Sequence, residues 1–128
     1  MNIEDFRTYC LSLPFVTEDM PYDDTVVAFR LKNKIFACVF LDKPLIVVMK
    51  CDAERAIELR ERYGGVEPAY HCNKKYWNQI YFNRDVDDVL LRSMICHAYN
   101  EVNKKLPKKE RVPELPIPDT SPDYLLCQ

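Results

Sequence analysis

Thr25-Val26-Val27-Ala28-Phe29-Arg30-Leu31, Ile35-Phe36-Ala37-Cys38-Val39-Phe40-Leu41 and Leu45-Ile46-Val47-Val48-Met49-Lys50 follow one another through residues 25–50. They are parted only by Lys32-Asn33-Lys34 and Asp42-Lys43-Pro44. Stretches this rich in Val, Ile and Phe, divided by such short polar breaks, have the pattern of strands joined by antiparallel hairpins. A parallel pair would need a crossover of about a dozen residues or more, which neither break can supply. Strict alternation sends Phe36, Cys38 and Phe40 to one face and Ile35, Ala37, Val39 and Leu41 to the other. Both sets are apolar. A sheet with one wet face alternates more cleanly, so something is expected to cover the second face too.

The flanks supply helices. Asn2 can cap the first one, Glu4 and Asp5 suit its positive end, and Ile3, Phe6, Cys10 and Leu13 recur at helical spacing up to Pro14. Residues 15–24 read as a polar, acidic connection. Asp52 can cap a second helix with Ala56, Leu59 and Tyr63 on one stripe and Gly64 as its stop. Residues 65–76 read as another connection, and Trp77 to Phe82 as a fourth strand. Asp85 is the expected cap of the last helix, with Asp87 and Asp88 in its first turn. Leu91, Met94, Ile95, Ala98 and Val102 then keep the helical period, and basic residues precede Pro107. The order helix, three strands, helix, strand, helix predicts a two-layer α+β fold, an antiparallel sheet with packing helices. It occupies residues 1–111 as a single domain. Residues 112–128 form a proline-rich tail in which Leu115, Ile117, Tyr124, Leu125 and Leu126 accompany acids. A solvated linker has no use for such side chains, so part of the tail is predicted to pack on the domain or on a neighbouring subunit.

Composition narrows the classes of function. At 128 residues the chain fits one domain, and 48% hydrophobic content is enough to make a disordered chain untenable. No apolar run nears the roughly 20 residues that cross a bilayer, and Met1 to Asp5 lacks a basic, then apolar, leader. A cytoplasmic protein without a membrane partner is expected. Two glycines allow neither a G-x-G-x-x-G fingerprint nor a P-loop. The six cysteines form no C-x-x-C pair and read as free thiols, with Cys38 a small buried hydrophobe. Charge is uneven beneath a net of −2: residues 1–29 hold six acids and one base, and residues 112–128 three acids and no base. The middle of the chain is therefore basic. Local anion binding fits this balance; a strongly basic nucleic-acid grip does not.

Within that middle, His71, Cys72, Lys74 and Lys75 precede Trp77, a basic and aromatic loop able to hold a phosphate or, equally, a solvated loop beside a core tryptophan. Lys104, Lys105, Lys108, Lys109 and Arg111 suit phosphates, or simply the negative end of a helix. His71, Cys72, Cys96 and His97 are metal-ligand types, but two adjacent pairs do not make a zinc spacing, and no metal is expected. The Asp23-Asp24 and Asp87-Asp88 pairs are better explained by turns and caps. Ser93 lies one helical turn from His97, yet no pattern ties a nucleophile to a base, and no catalytic residue or cofactor is assigned.

The segment Tyr70-His71-Cys72-Asn73-Lys74-Lys75-Tyr76-Trp77, together with Ala98-Tyr99-Asn100-Glu101-Val102 and Leu106-Pro107-Lys108-Lys109, resembles the MmcQ/YjbR family. Ala98 stands where that family more often has serine. The Pro21 region and the Phe36-Ala37 strand also fit, and the likeness spans about residues 1–111. It implies a compact fold of the CyaY type with a double-wing motif and a DNA-binding role, with no established reaction. His71, Asn73, Trp77 and Tyr99 come with it as motif positions of structural use. The expected function is weak, electrostatic DNA binding without catalysis, through Lys74, Lys75, Lys104, Lys105, Lys108, Lys109 and Arg111. The alternative is a protein-interaction or small-ligand domain, a homodimer among its forms, that uses an apolar sheet face. Trp77 is expected to be largely buried, with the loop before it folded alongside.

Overall fold

The computed structural model describes residues 1–42 and 44–118. Its elements are α1 (Ile3–Ser12), β1 (Val16–Asp19), β2 (Val26–Leu31), β3 (Lys34–Phe40), β4 (Ile46–Lys50), α2 (Ala53–Arg62), β5 (Val66–Pro68), β6 (Trp77–Tyr81) and α3 (Asp88–Lys105). One turn of 3-10 helix, Lys108–Glu110, follows. The strands form one six-stranded sheet in the order β1-β2-β3-β4-β6-β5, and every neighbouring pair is antiparallel. The expected α+β architecture is present, with two strands more than the sequence pattern predicts. β1 lies in the stretch read as an acidic connection, and β5 in the one read as the second connection. Both are edge strands of three or four residues, too short to carry a period of their own.

Local chemistry sets most boundaries. The Asn2 carboxamide oxygen accepts from the Asp5 amide at 2.7 Å, and the Asp52 carboxylate accepts from the Arg55 amide at 3.3 Å, so both predicted caps are in place. The cap of α3 is Asp87, whose carboxylate accepts from the Leu90 amide at 2.8 Å, and not Asp85. Asp85 is used elsewhere: its two oxygens accept from the amides of Gly64 and Gly65 at 2.7 and 2.8 Å. A Cβ on Gly65 would stand 2.7 Å from an Asp85 oxygen, which is why this position has none. The β2–β3 hairpin turns through Lys32 and Asn33, both at positive φ (48° and 73°), the backbone hand that matches strand twist.

Face assignment within the sheet departs from strict alternation at one point. Phe29 pairs with Ala37 and Arg30 with Ile35, so Phe36 is an extra residue, a β-bulge. The bulge turns Phe36 to the same side as Ala37 and Val39, where its ring meets Tyr99 of α3 edge-on, centroids 5.8 Å apart. Ile35, Cys38 and Phe40 are left together on the other face. The expected partition of β3 is corrected accordingly.

All three helices lie on the Phe36 side. Phe6 of α1 packs edge-on against Phe29 and Phe82, and Leu90, Leu91, Met94, Ile95, Ala98, Tyr99 and Val102 of α3 join the same core. Tyr99 is fully buried and donates its hydroxyl to the Pro14 carbonyl at 2.7 Å, a structural role. The tail begins by packing on α3. Asn103, 6% exposed, donates to the Val112 carbonyl at 2.7 Å and accepts from the Val112 amide at 3.0 Å. Asn100 does the same to Leu115, at 2.9 Å both ways. A carboxamide carries one donor side and one acceptor side, so it satisfies both backbone groups of a single residue. Val112 and Leu115 each precede a proline, which restricts them to the extended backbone that this pairing needs. The tail residues Asp119, Asp123, Tyr124, Leu125, Leu126 and Cys127 lie outside the described residues.

Asn103→Ala strands the Val112 amide and carbonyl and is expected to cost about 2 kcal/mol of stability in urea titrations. Truncation after Arg111 should cost at least as much, because it removes the packing of Val112 and Leu115 and leaves both Asn100 and Asn103 without these partners. An unchanged urea midpoint in the truncated chain would show that the clamp contributes nothing to the fold.

Candidate functional site

The sheet's helix-free face carries the site. With Phe36 turned away, Ile35, Cys38 and Phe40 of β3 and Val48 of β4 form an apolar floor, and Trp77 at the start of β6 stands beside them. Two loops rise over it. One brings Tyr22, the other His71 and Cys72, and together these residues enclose a hollow of about 340 Å³. The second face of the strands is thus covered in part, by loops. Trp77 is half-buried on this open face and takes no place in the core, contrary to the expectation of a largely buried indole. Register explains it. Trp77 pairs with Lys50, and the neighbouring Asn78 takes the inward position instead.

Around Trp77 cations and rings gather. The Lys50 ammonium stands 5.3 Å from the indole centroid and 5.2 Å from that of Tyr76. Lys75 lies over Tyr76 at 5.4 Å, and Lys74 over Tyr70 at 5.1 Å. The loop that carries them is held from below. The Arg60 guanidinium donates to the Lys74 carbonyl and, at 2.6 Å, to the Asn78 side chain. The Asn73 carboxamide oxygen accepts from the Lys75 amide at 3.1 Å, so this motif asparagine shapes the loop as a local turn. His71 is exposed at the rim of the hollow. Lys50 was not among the residues the sequence singled out. Its only sequence signal was a cation ending an apolar strand.

The second basic group sits elsewhere. Lys104 and Lys105 end α3, Lys108 and Lys109 lie in the 3-10 turn, and Arg111 donates to the Leu106 carbonyl at 3.0 Å. Lys104 is paired with Glu101 at 2.8 Å. These five belong to the helix layer, whereas Lys74 and Lys75 flank the open sheet face. The seven candidate contacts thus come from two segments, the loop before β6 and the end of α3 with the turn after it.

The remaining candidates find structural uses. His71 and Cys72 belong to the open face, Cys96 and His97 to α3, and among the described residues no three His, Cys, Asp or Glu side chains gather around a common point. Asp23 accepts from the Thr25 amide at 2.8 Å, a turn role. Ser93 is fully buried with no hydrogen-bond partner for its hydroxyl, so it is not tied to His97. His97 Nε2 accepts from the Asp52 amide at 3.1 Å at the start of α2. Burial, and then the nearby Arg55 cation, push its pKa down to about 4, with the charges of Glu101, Asp52 and Lys104 also acting on it. A neutral imidazole is what that accepted hydrogen bond requires. Burial also raises the thiols of Cys38, to about 11, and Cys51, to about 12, so both stay protonated and unreactive at neutral pH.

Comparisons with known proteins agree with this architecture. The YjbR family model matches residues 11–101. An Escherichia coli O157:H7 protein described as uncharacterized protein YbdF is 29% identical over 112 residues, covering 84% of this chain and 89% of that one. YjbR of Escherichia coli K12, likewise described as uncharacterized, is 24% identical and covers 87% and 95%. The crystal structure of the Deinococcus radiodurans protein DR2400, a DUF419 domain, superposes with a TM-score of 0.84 at 30% identity, covering 94% of this chain and 96% of that one. A Pseudomonas syringae protein shares the fold at a TM-score of 0.67 and 22% identity, covering 77% and 96%. Among the described residues no helix is long and apolar enough to cross a membrane.

Two measurements check the site's physical description. Trp77→Ala is expected to cost about 1–2 kcal/mol in urea titrations, less than the roughly 3–5 kcal/mol of a fully buried tryptophan; a loss above that lower range would place the indole in the core. Because the folded pKa of His97 lies below its unfolded value, the unfolded chain takes up the proton first. Stability is therefore lost as pH falls from about 6.5 towards 4, by roughly 3 kcal/mol from this residue. His97→Gln should flatten that part of the urea midpoint's pH profile, and an unaltered profile would contradict it.

Proposed function

The chain belongs to the YjbR family, and from that premise we propose that it is a binding module without catalysis that holds DNA weakly, through charge and ring stacking. The observation that carries this reading is the cluster on the open face: Lys50, Lys74 and Lys75 set over the rings of Tyr70, Tyr76 and Trp77. Cations beside a strand neutralise phosphates and release counterions, and half-exposed rings offer faces on which unpaired bases stack. The footprint proposed is smaller than the seven contacts read from the sequence, because Lys104 is paired with Glu101 and Arg111 with the Leu106 carbonyl. Three phosphate contacts and a net charge of −2 suit weak binding without sequence preference. Support for a non-catalytic role comes from the Cys38 and Cys51 thiols, which burial keeps protonated, and from Ser93, whose hydroxyl makes no hydrogen bond to a base among the described residues.

Titrating a labelled mixed-sequence single strand between low and physiological salt tests the proposal. Three contacts predict a log–log salt slope of about −2, and the Lys74→Ala, Lys75→Ala double variant should bring it to about −1. Lys108→Ala with Lys109→Ala should leave it where it was. No binding at high micromolar protein in low salt, or a loss of affinity through Lys108 and Lys109 instead, would overturn the proposal.

A further inference from the structure

We infer that the hollow on the helix-free face is a binding site for a small aromatic carboxylate. Its volume of about 340 Å³ lies at the lower end of the range for small-molecule sites and suits one ring with a short acidic arm. The floor is Ile35, Phe40 and Val48, and the rings of Tyr22 and Trp77 rise at its sides. Such walls take a flat apolar ring by area and by edge or face contact. Polar groups at the wall are few: the Tyr22 hydroxyl, the His71 imidazole, the Trp77 indole N–H and two thiols. A nucleobase would lose several hydrogen bonds to water there and regain few of them, which disfavours it as the occupant.

Charge selects the acid. None of the eight lining residues is a carboxylate. Two acids of the neighbouring segment are already engaged, Asp19 with Arg30 at 2.8 Å and Asp23 with Thr25. The Lys50 ammonium, by contrast, stands over the indole that walls the hollow and has no carboxylate partner among the described residues. Lys50 is not itself one of the lining residues, but its ammonium stands 5.3 Å from the indole centroid, and the inferred pose directs the acidic arm of a ring held beside Trp77 toward it, with His71 at the rim as a further donor. Cys38 stays a thiol at neutral pH, so the contact is non-covalent. Access is open, because Tyr22 is 71% exposed and His71 belongs to an exposed loop. The site shares Trp77 and Lys50 with the strand-binding reading but rests on the hollow itself, so the two stand or fall separately.

Trp77 is the only tryptophan, which makes its emission a direct probe. Titration of the full chain with phenylacetate is expected to shift that emission saturably, with a Kd of about 1 mM or tighter. The uncharged 2-phenylethanol and the ringless acetate should each bind at least about tenfold more weakly, and Lys50→Ala should weaken phenylacetate about tenfold. Val48→Phe fills the floor and Cys72→Phe fills the rim from an exposed loop. Either variant should abolish the shift while leaving single-strand binding in place, and Lys74→Ala with Lys75→Ala should do the reverse. No saturable change with phenylacetate, equal binding of 2-phenylethanol, or tighter binding of adenosine monophosphate than of phenylacetate would overturn the inference.

Discussion

Phe36 is one residue more than its ladder with β2 can pair, and the side to which that extra residue turns decides what both faces of the sheet become. Swung inward, its ring finds Tyr99, and the Tyr99 hydroxyl in turn reaches back to Pro14 at the exit of α1. A strand, the longest helix and the first helix are joined through this one aromatic contact. Along β3 the bulge groups Phe36 with Ala37 and Val39 and leaves Ile35 with Cys38 and Phe40. A regular strand would have put Ile35 in the core and Phe36 on the open face. The hollow's floor exists because the bulge exchanges the two.

α3 is the other element on which much converges. It is buried around most of its circumference, with the sheet on one side and the first residues of the tail on another. Asn100 and Asn103 are polar residues at buried positions, and each would destabilise the helix if left unpaired. The tail's backbone satisfies them, and the prolines that follow Val112 and Leu115 hold that backbone extended before it docks. The entropy lost on docking is smaller for such a segment than for an ordinary one.

The open face combines features that seldom meet by accident of packing. Arg60, reaching through from α2, fixes the loop that carries Lys74 and Lys75, and β-pairing sets Lys50 across from Trp77. The rings around these lysines are exposed or half-exposed, whereas the cations of the Lys104–Arg111 group end a helix and partly serve it, as in the Lys104–Glu101 pair. Charge of equal sign therefore plays two parts in this chain, one on a surface of rings and one at a helix terminus.

What the sequence by itself determined are the features fixed by residues a few positions apart: the antiparallel hairpins, because their breaks are too short for anything else; the caps at Asn2 and Asp52; the buried stripe of α3; and the motif that marks the family. Tertiary structure decided whatever depends on partners distant in the chain. β1 and β5 are strands only because β2 and β6 offer them edges, and nothing in their own few residues has a period to read. Asp85 has the residue type and place of a cap, but Gly64 and Gly65, some twenty residues earlier, claim it, and Asp87 caps the helix instead. Trp77 is half-exposed because its register with β4 sets Asn78 inward, and Lys50 joins the rings through that same pairing. Bulge, register and clamp are settled by competition between long-range pairings, each a balance of burial against hydrogen bonding that no local stretch of sequence contains.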